Sequence, residues 1–157
     1  MPIRRLSAAQ GDILLKITGE KMRKVVCGPN RTSEAIDFIE SLRNRIRNAI
    51  EHVIVLDNDD IAYIEAAERD IHDRLDNNER RDYNSAMRTI KAAIPKHGWI
   101  ISRDGKTRGV IVNPGGAPCA MAGCTGRRMF VRWEDGARTK PCTKGVTWLR
   151  KDLCKIE

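Results

Sequence analysis

The sequence predicts an α+β protein in two parts: an N-terminal antiparallel helical bundle over residues 1–95 and a small, basic, strand-rich domain over residues 96–157. Two observations carry this reading. Apolar residues recur at helical spacing as far as Ile94, Pro95 then stops the helix, and from Trp99 onward the pattern alternates with period two. The charge shifts with the pattern: residues 1–50 carry ten Lys/Arg against five Asp/Glu, residues 51–95 six against eleven, and residues 96–157 thirteen against five. The last block alone therefore holds +8, the net charge of the whole chain, and a field of that size on so small a unit attracts polyanions.

The chain has 157 residues, of which 41% are apolar and 32% charged, enough for two small cores and a well-solvated surface. Nowhere do eighteen apolar residues follow one another, and the first twenty contain no apolar run of signal-peptide length, so a cytoplasmic protein without a membrane partner is expected. In a reducing compartment, five cysteines are free thiols or metal ligands rather than disulfides.

Ser7-Ala8-Ala9-Gln10 has the form of a capping box, and Ile13, Leu14 and Ile17 follow at helical spacing, so a short first helix is expected that Gly19 weakens or ends. Asn30-Arg31-Thr32 matches a glycosylation sequon, but without a secretory route it has no use. The second helix starts at Ser33 and runs to about Leu56, with Ile36, Ile39, Leu42, Ile46, Ile50 and Val53 as its stripe and Arg43, Arg45 and Arg47 on a solvated face. Asp57-Asn58-Asp59-Asp60 offers N-caps to a third helix with Ile61, Ile64, Ile71 and Leu75 inward. Asn77-Asn78 ends it and caps a fourth, Glu79 to Ile94, with Tyr83, Met87 and Ile90 inward.

Residues 57–82 contain ten acidic side chains against four basic ones. This is either a solvated helix surface or a docking surface for a basic partner, such as the C-terminal domain of the same or another copy. The helices also offer a surface for homodimerisation.

Beyond Pro95 the elements are a strand from Trp99 to Arg103, an Asp104-Gly105 turn, a return strand from Thr107 to Asn113 and a loop from Pro114 to Gly126. Gly105-Lys106-Thr107 is no phosphate-binding loop, because Ile100 stands where that motif needs its first glycine. Arg128 to Trp133 is a strand with Met129, Val131 and Trp133 on an apolar face and Arg128, Phe130 and Arg132 on a basic one. Glu134-Asp135-Gly136 supplies the turn, with Gly where φ > 0 is needed. A strand from Ala137 to Cys142 follows, and Trp148 to Ile156 reads as a tight turn and closing strand.

This order resembles a Src-homology-3-like small β-barrel of the Tudor or KOW kind, with Val131-Arg132-Trp133-Glu134-Asp135-Gly136 as its third strand and turn. The resemblance spans residues 99–156 and implies a five-stranded barrel. Such barrels bind RNA, DNA, polymerase subunits or methylated side chains, so the fold does not choose among partners. With Trp133 inward, core packing accounts for it better than an aromatic cage does.

Two function classes follow. In the first, the protein is a non-enzymatic nucleic-acid-associated regulator: Arg127, Arg128, Arg132, Arg138, Lys140 and Lys144 hold phosphates and Phe130 stacks on a base. In the second it is a protein-binding adaptor or inhibitor, of the sort phages and other mobile elements encode, that blocks a macromolecular complex. Cys119, Cys124, Cys142 and Cys154 are either a structural zinc site or ordinary reduced thiols, with Cys27 apart from them. His52, His72 and His97 fall in three different elements without paired carboxylates or a nucleophile elbow, so catalysis is not expected.

Overall fold

The computed structural model describes residues 4–29, 31–93, 98–102, 107–113, 115–142 and, as backbone, 149–151. Four helices come first: α1 (Ala8–Cys27), α2 (Ser33–Glu51), α3 (Asn58–Ile71), which runs into a 3₁₀ turn at His72–Arg74, and α4 (Asn77–Ala92). Five short strands follow: β1 (Trp99–Ile101), β2 (Arg108–Asn113), β3 (Phe130–Trp133), β4 (Arg138–Thr139) and β5 (Leu149–Lys151). The α+β class is the expected one.

The capping box at the start of α1 forms as its sequence requires: the Gln10 amide donates to Ser7 Oγ (3.1 Å) and the Ser7 amide to Gln10 Oε1 (2.9 Å). The helix does not end at Gly19, however, and runs eight residues further. Gly19 marks a crossing instead. Arg43 of α2 passes there, donating to Leu15 O (2.5 Å) and Thr18 Oγ1 (3.2 Å), and a Cβ on residue 19 would lie 2.8 Å from that guanidinium. The roughly 1 kcal/mol of helix propensity that glycine forfeits is offset by this contact. α1 packs against α2, α3 and α4, and Leu14 and Ile17 are fully buried among them.

α2 is capped by Thr32, whose Oγ1 accepts from the Ala35 amide (3.1 Å), one residue before the expected Ser33. It also stops at Glu51 rather than Leu56. Val53, Ile54, Val55 and Leu56 are all buried, and the Ile54 amide donates to Arg4 O (3.3 Å). Four consecutive apolar residues cannot all face inward from a surface helix, whereas an extended run under the N-terminal segment buries each of them. Asp57 and Asp76 cap α3 and α4 in reciprocal boxes with Asp60 and Glu79. Asp76, rather than Asn77 or Asn78, takes the capping position. Ile61, Ile64, Ile71, Leu75, Tyr83, Met87 and Ile90 are buried as their spacing predicts; Ile94 lies outside the described residues.

Burial, followed by the charges of Glu68 and Glu65, pushes the Tyr83 phenol up to about 12. The unfolded phenol ionises near ~10, so raising the pH through this window favours the unfolded chain. Urea midpoints are expected to fall as the pH rises above ~10, and Tyr83→Phe is expected to flatten that fall. An alkaline profile untouched by the substitution would remove Tyr83 as its source.

The sheet is antiparallel with order β4-β3-β2-β1-β5. Its register places Ile100, Gly109 and Trp133 in one row and Ile111 beside Val131 in another, and Ile100, Ile111, Val131 and Trp133 form its core with Met129 packed against them. Gly109 leaves the room this face needs, since a Cβ there would come within 2.8 Å of both Val131 and Trp133.

The expected closed barrel is not what the described residues form. The sheet is open, with β4 and β5 at opposite edges. The reason lies on the second face, where Trp99, Arg108, Val110 and Arg132 share a side of the sheet. Arg108 reaches back from it to the loop before α3, so that this part of the sheet rests on the helices instead of curling over itself. No helix among the described residues is long and apolar enough to cross a membrane.

Candidate functional site

The basic face is built on β3 and the residues leading into it. Alternation along this strand leaves Val131 and Trp133 buried and turns the Phe130 ring out, 40% exposed, as the sequence reading expected. A register shift in β2 between Ile111 and Asn113 sits opposite Phe130, where the ladder bends. Lys140 places its Nζ 4.9 Å from the ring centroid, a cation–π contact. Arg128 Nη1 donates to Lys140 O (3.2 Å), and Arg127 Nη1 donates to Gly116 O (3.4 Å).

Arg132 pairs across the strands with Arg138. The Arg132 guanidinium is held below its ordinary range, first by partial burial and then by the neighbouring charges of Arg138 and Arg5. Among the described residues, no carboxylate lies at ion-pair distance from Arg128, Arg132, Arg138 or Lys140. The structure thus gathers Arg127, Arg128, Phe130, Arg132, Arg138 and Lys140 along β3, β4 and their flanks, whereas Lys144 lies outside the described residues. Arg5, which the sequence gave no reason to include, joins them from the other end of the chain.

Beside this face the loop folds back as a small hairpin. The Cys119 amide donates to Gly126 O (2.9 Å), the Arg128 amide to Ala117 O (2.8 Å), and the Cys124 amide closes a turn on Met121 O (3.1 Å). On the other flank Arg128 bridges to Cys142, and the Met129 amide donates to Pro141 O (2.8 Å). This arrangement brings the thiols of Cys119, Cys124 and Cys142 within 4.8 Å of one another, with 3.5 Å between the Cys124 and Cys142 sulfurs. Three such thiols can hold a metal ion. The Gly126 backbone pulls the Cys124 thiol down, but its sulfur neighbours Cys142 and Cys119, together with burial, leave it raised. Cys154 lies outside the described residues, and Cys27 is exposed at the end of α1.

The second cluster is one that sequence reasoning missed. Arg108 Nη1 lies 2.8 Å from Asp60 Oδ2 and 3.1 Å from Asp57 Oδ2, and Arg45 Nη1 lies 3.2 Å from Asp60 Oδ1. Asp60 is fully buried. Burial pushes its carboxyl up, while Arg108 and Arg45 pull it back. Glu134, also buried, accepts from the Arg108 amide (3.0 Å); burial raises its carboxyl too, against that same amide and the charge of Arg45. The Arg108 guanidinium stands 5.8 Å from the centre of the Trp99 ring.

Two of the three arginines assigned to a solvated face of α2 therefore turn inward, Arg43 onto α1 and Arg45 onto Asp60. Two carboxylates of the acidic stretch grip a basic residue of the strand region in the same chain. The Asp135-Gly136 turn rests on His52: Gly136 has φ +91° and would carry a Cβ 2.8 Å from the imidazole, so both conformation and clearance require glycine. Compared with known proteins, the chain matches no family model, no curated protein and no solved structure, and a functional assignment rests on the site itself.

Proposed function

We propose that the protein is a small, non-enzymatic, nucleic-acid-associated regulator that binds a single strand across β3 and β4. The observation that carries this reading is Phe130, an aromatic ring 40% exposed beside Arg128, Arg132, Arg138 and Lys140, which no carboxylate of the described residues pairs with. A solvated surface made only for solubility gains nothing from an exposed phenyl ring, whereas an unpaired base stacks on one. Arg128, two residues before β3, and Arg132 within it stand four residues apart, about 13 Å for an extended segment at ~3.3 Å per residue, an interval close to two steps of an extended nucleic-acid backbone. A structural zinc ion on the thiol cluster belongs to the same proposal, as the cofactor that orders the loop beside the face.

Fluorescence anisotropy with labelled oligothymidylate and oligouridylate at several salt concentrations tests it. The double substitution Arg128→Ala with Arg132→Ala is expected to reduce the salt slope by about two phosphate contacts. Phe130→Ala is expected to weaken binding by about 1–3 kcal/mol with the slope unchanged. If neither alters affinity while the protein captures a protein complex through the same surface, the adaptor reading replaces this one.

A further inference from the structure

Resting on the nucleic-acid reading, we infer that a zinc(II) ion held by Cys119, Cys124 and Cys142 builds the nucleic-acid face, so that metal occupancy and strand affinity are linked. The geometry suits a soft divalent cation. Thiolates about 2.3 Å from a tetrahedral zinc stand roughly 3.8 Å from one another, and these three sulfurs already lie within 4.8 Å. Drawing them onto one ion takes only small side-chain adjustments.

The three thiols also come from three separate stretches of chain. Cys119 closes the arm that pairs through Pro118 with Arg127, Cys124 lies at the hairpin turn, and Cys142 pairs with Arg128 from the opposite flank. The Arg127-Arg128 segment is the middle strand of this arrangement and leads directly into Phe130. Lys140, which covers the Phe130 ring, lies two residues before Cys142. One ion bound to all three thiols therefore fixes the segments that present Arg127, Arg128, Phe130 and Lys140 relative to one another.

Backbone hydrogen bonds join these segments, but little apolar packing supports them. The sheet core ends at Met129, Met121 is 71% exposed, and of residues 115–128 only Gly126 is buried. A loop of this length without an apolar core does not offset the entropy of its own ordering, and a metal clip that ties its ends together does. Arg127 and Arg128 also suit the charge: three thiolates around a divalent cation leave one negative charge, and the guanidiniums lie on the segment between them.

Linkage makes the effect reciprocal: the factor by which zinc tightens strand binding is the factor by which the strand tightens zinc binding. The test uses the full chain, a labelled oligothymidylate and zinc itself. Protein stripped by a chelator is expected to bind the oligonucleotide on the order of tenfold more weakly than zinc-loaded protein. Competition against a chromophoric chelator is expected to report tighter zinc binding, by the same factor, when the oligonucleotide is saturating. Cys119→Ser with Cys124→Ser should reproduce the stripped state, with helical circular dichroism retained as the control for folding, and Cys27→Ser should change nothing. Phe130→Ala separates the two ends: it should take up zinc normally and bind the oligonucleotide more weakly, while its zinc affinity responds less to saturating oligonucleotide than that of the unaltered chain.

Equal oligonucleotide binding by stripped and loaded protein overturns the inference and leaves the nucleic-acid reading standing. Failure to take up a stoichiometric zinc ion overturns it as well. Absence of oligonucleotide binding by loaded protein at low salt removes the nucleic-acid reading, and the linkage with it.

Discussion

Replacing Arg108 with Ala is expected to lower the unfolding free energy by about 3–5 kcal/mol, as removal of one member of a buried ion cluster does. Arg108 is the only cation that touches both Asp57 and Asp60 at ion-pair distance among the described residues, and both carboxylates are buried. Without it, Asp60 keeps only Arg45 among the described residues, and Asp57 loses its contact with the Arg108 guanidinium. The neutral form of Asp60 offers a partial escape, since burial already biases the carboxyl toward it. Urea unfolding followed by far-ultraviolet circular dichroism measures the loss. A change below about 1 kcal/mol would mean that the cluster is solvated and behaves as a surface pair.

Trp99→Ala is expected to cost a similar amount, about 3–5 kcal/mol, by opening a large cavity. Among the described residues Trp99 is the bulkiest fully buried side chain, and its indole N–H finds no hydrogen-bond partner there. Its contribution therefore comes from area and from the Arg108 guanidinium above the ring. Because the two residues touch, their losses should not add: the double variant Trp99→Ala with Arg108→Ala is expected to lose less than the sum. Strict additivity would show that the ring and the guanidinium act separately.

The parts of this fold that local pattern can specify were legible in the sequence. The stripes of α2, α3 and α4, the Ser7 box, the change from helices to strands after α4 and the outward turn of Phe130 all follow from spacing within a dozen residues. What escaped are features decided by distant neighbours. Gly19 looks like a helix breaker until Arg43, from another helix, is seen to need the space. Arg45 looks solvated until Asp60 is placed beside it. Arg108 carries no local signal at all, since its partners lie 48 and 51 positions away in sequence. The barrel expectation failed for the same reason: strand order and turn chemistry are local, but whether a sheet closes depends on what covers its second face. The cysteines fall between these cases, because composition names the candidates and only the fold shows that Cys119, Cys124 and Cys142 meet.

An open sheet leaves an edge, and that edge has a colloidal consequence. Among the described residues the outer side of β4 pairs with no strand, an edge that a second copy of the chain can template upon. This edge is only two residues long, is flanked by Lys140 and Pro141, and carries Arg138. Like charges repel an incoming edge, and proline withholds a donor from it. The cations proposed for phosphate contact therefore also oppose pairing of this edge with that of a second copy. A polyanion that neutralises them removes the charge component of that protection, leaving the shortness of the strand and Pro141 to guard against edge-to-edge growth.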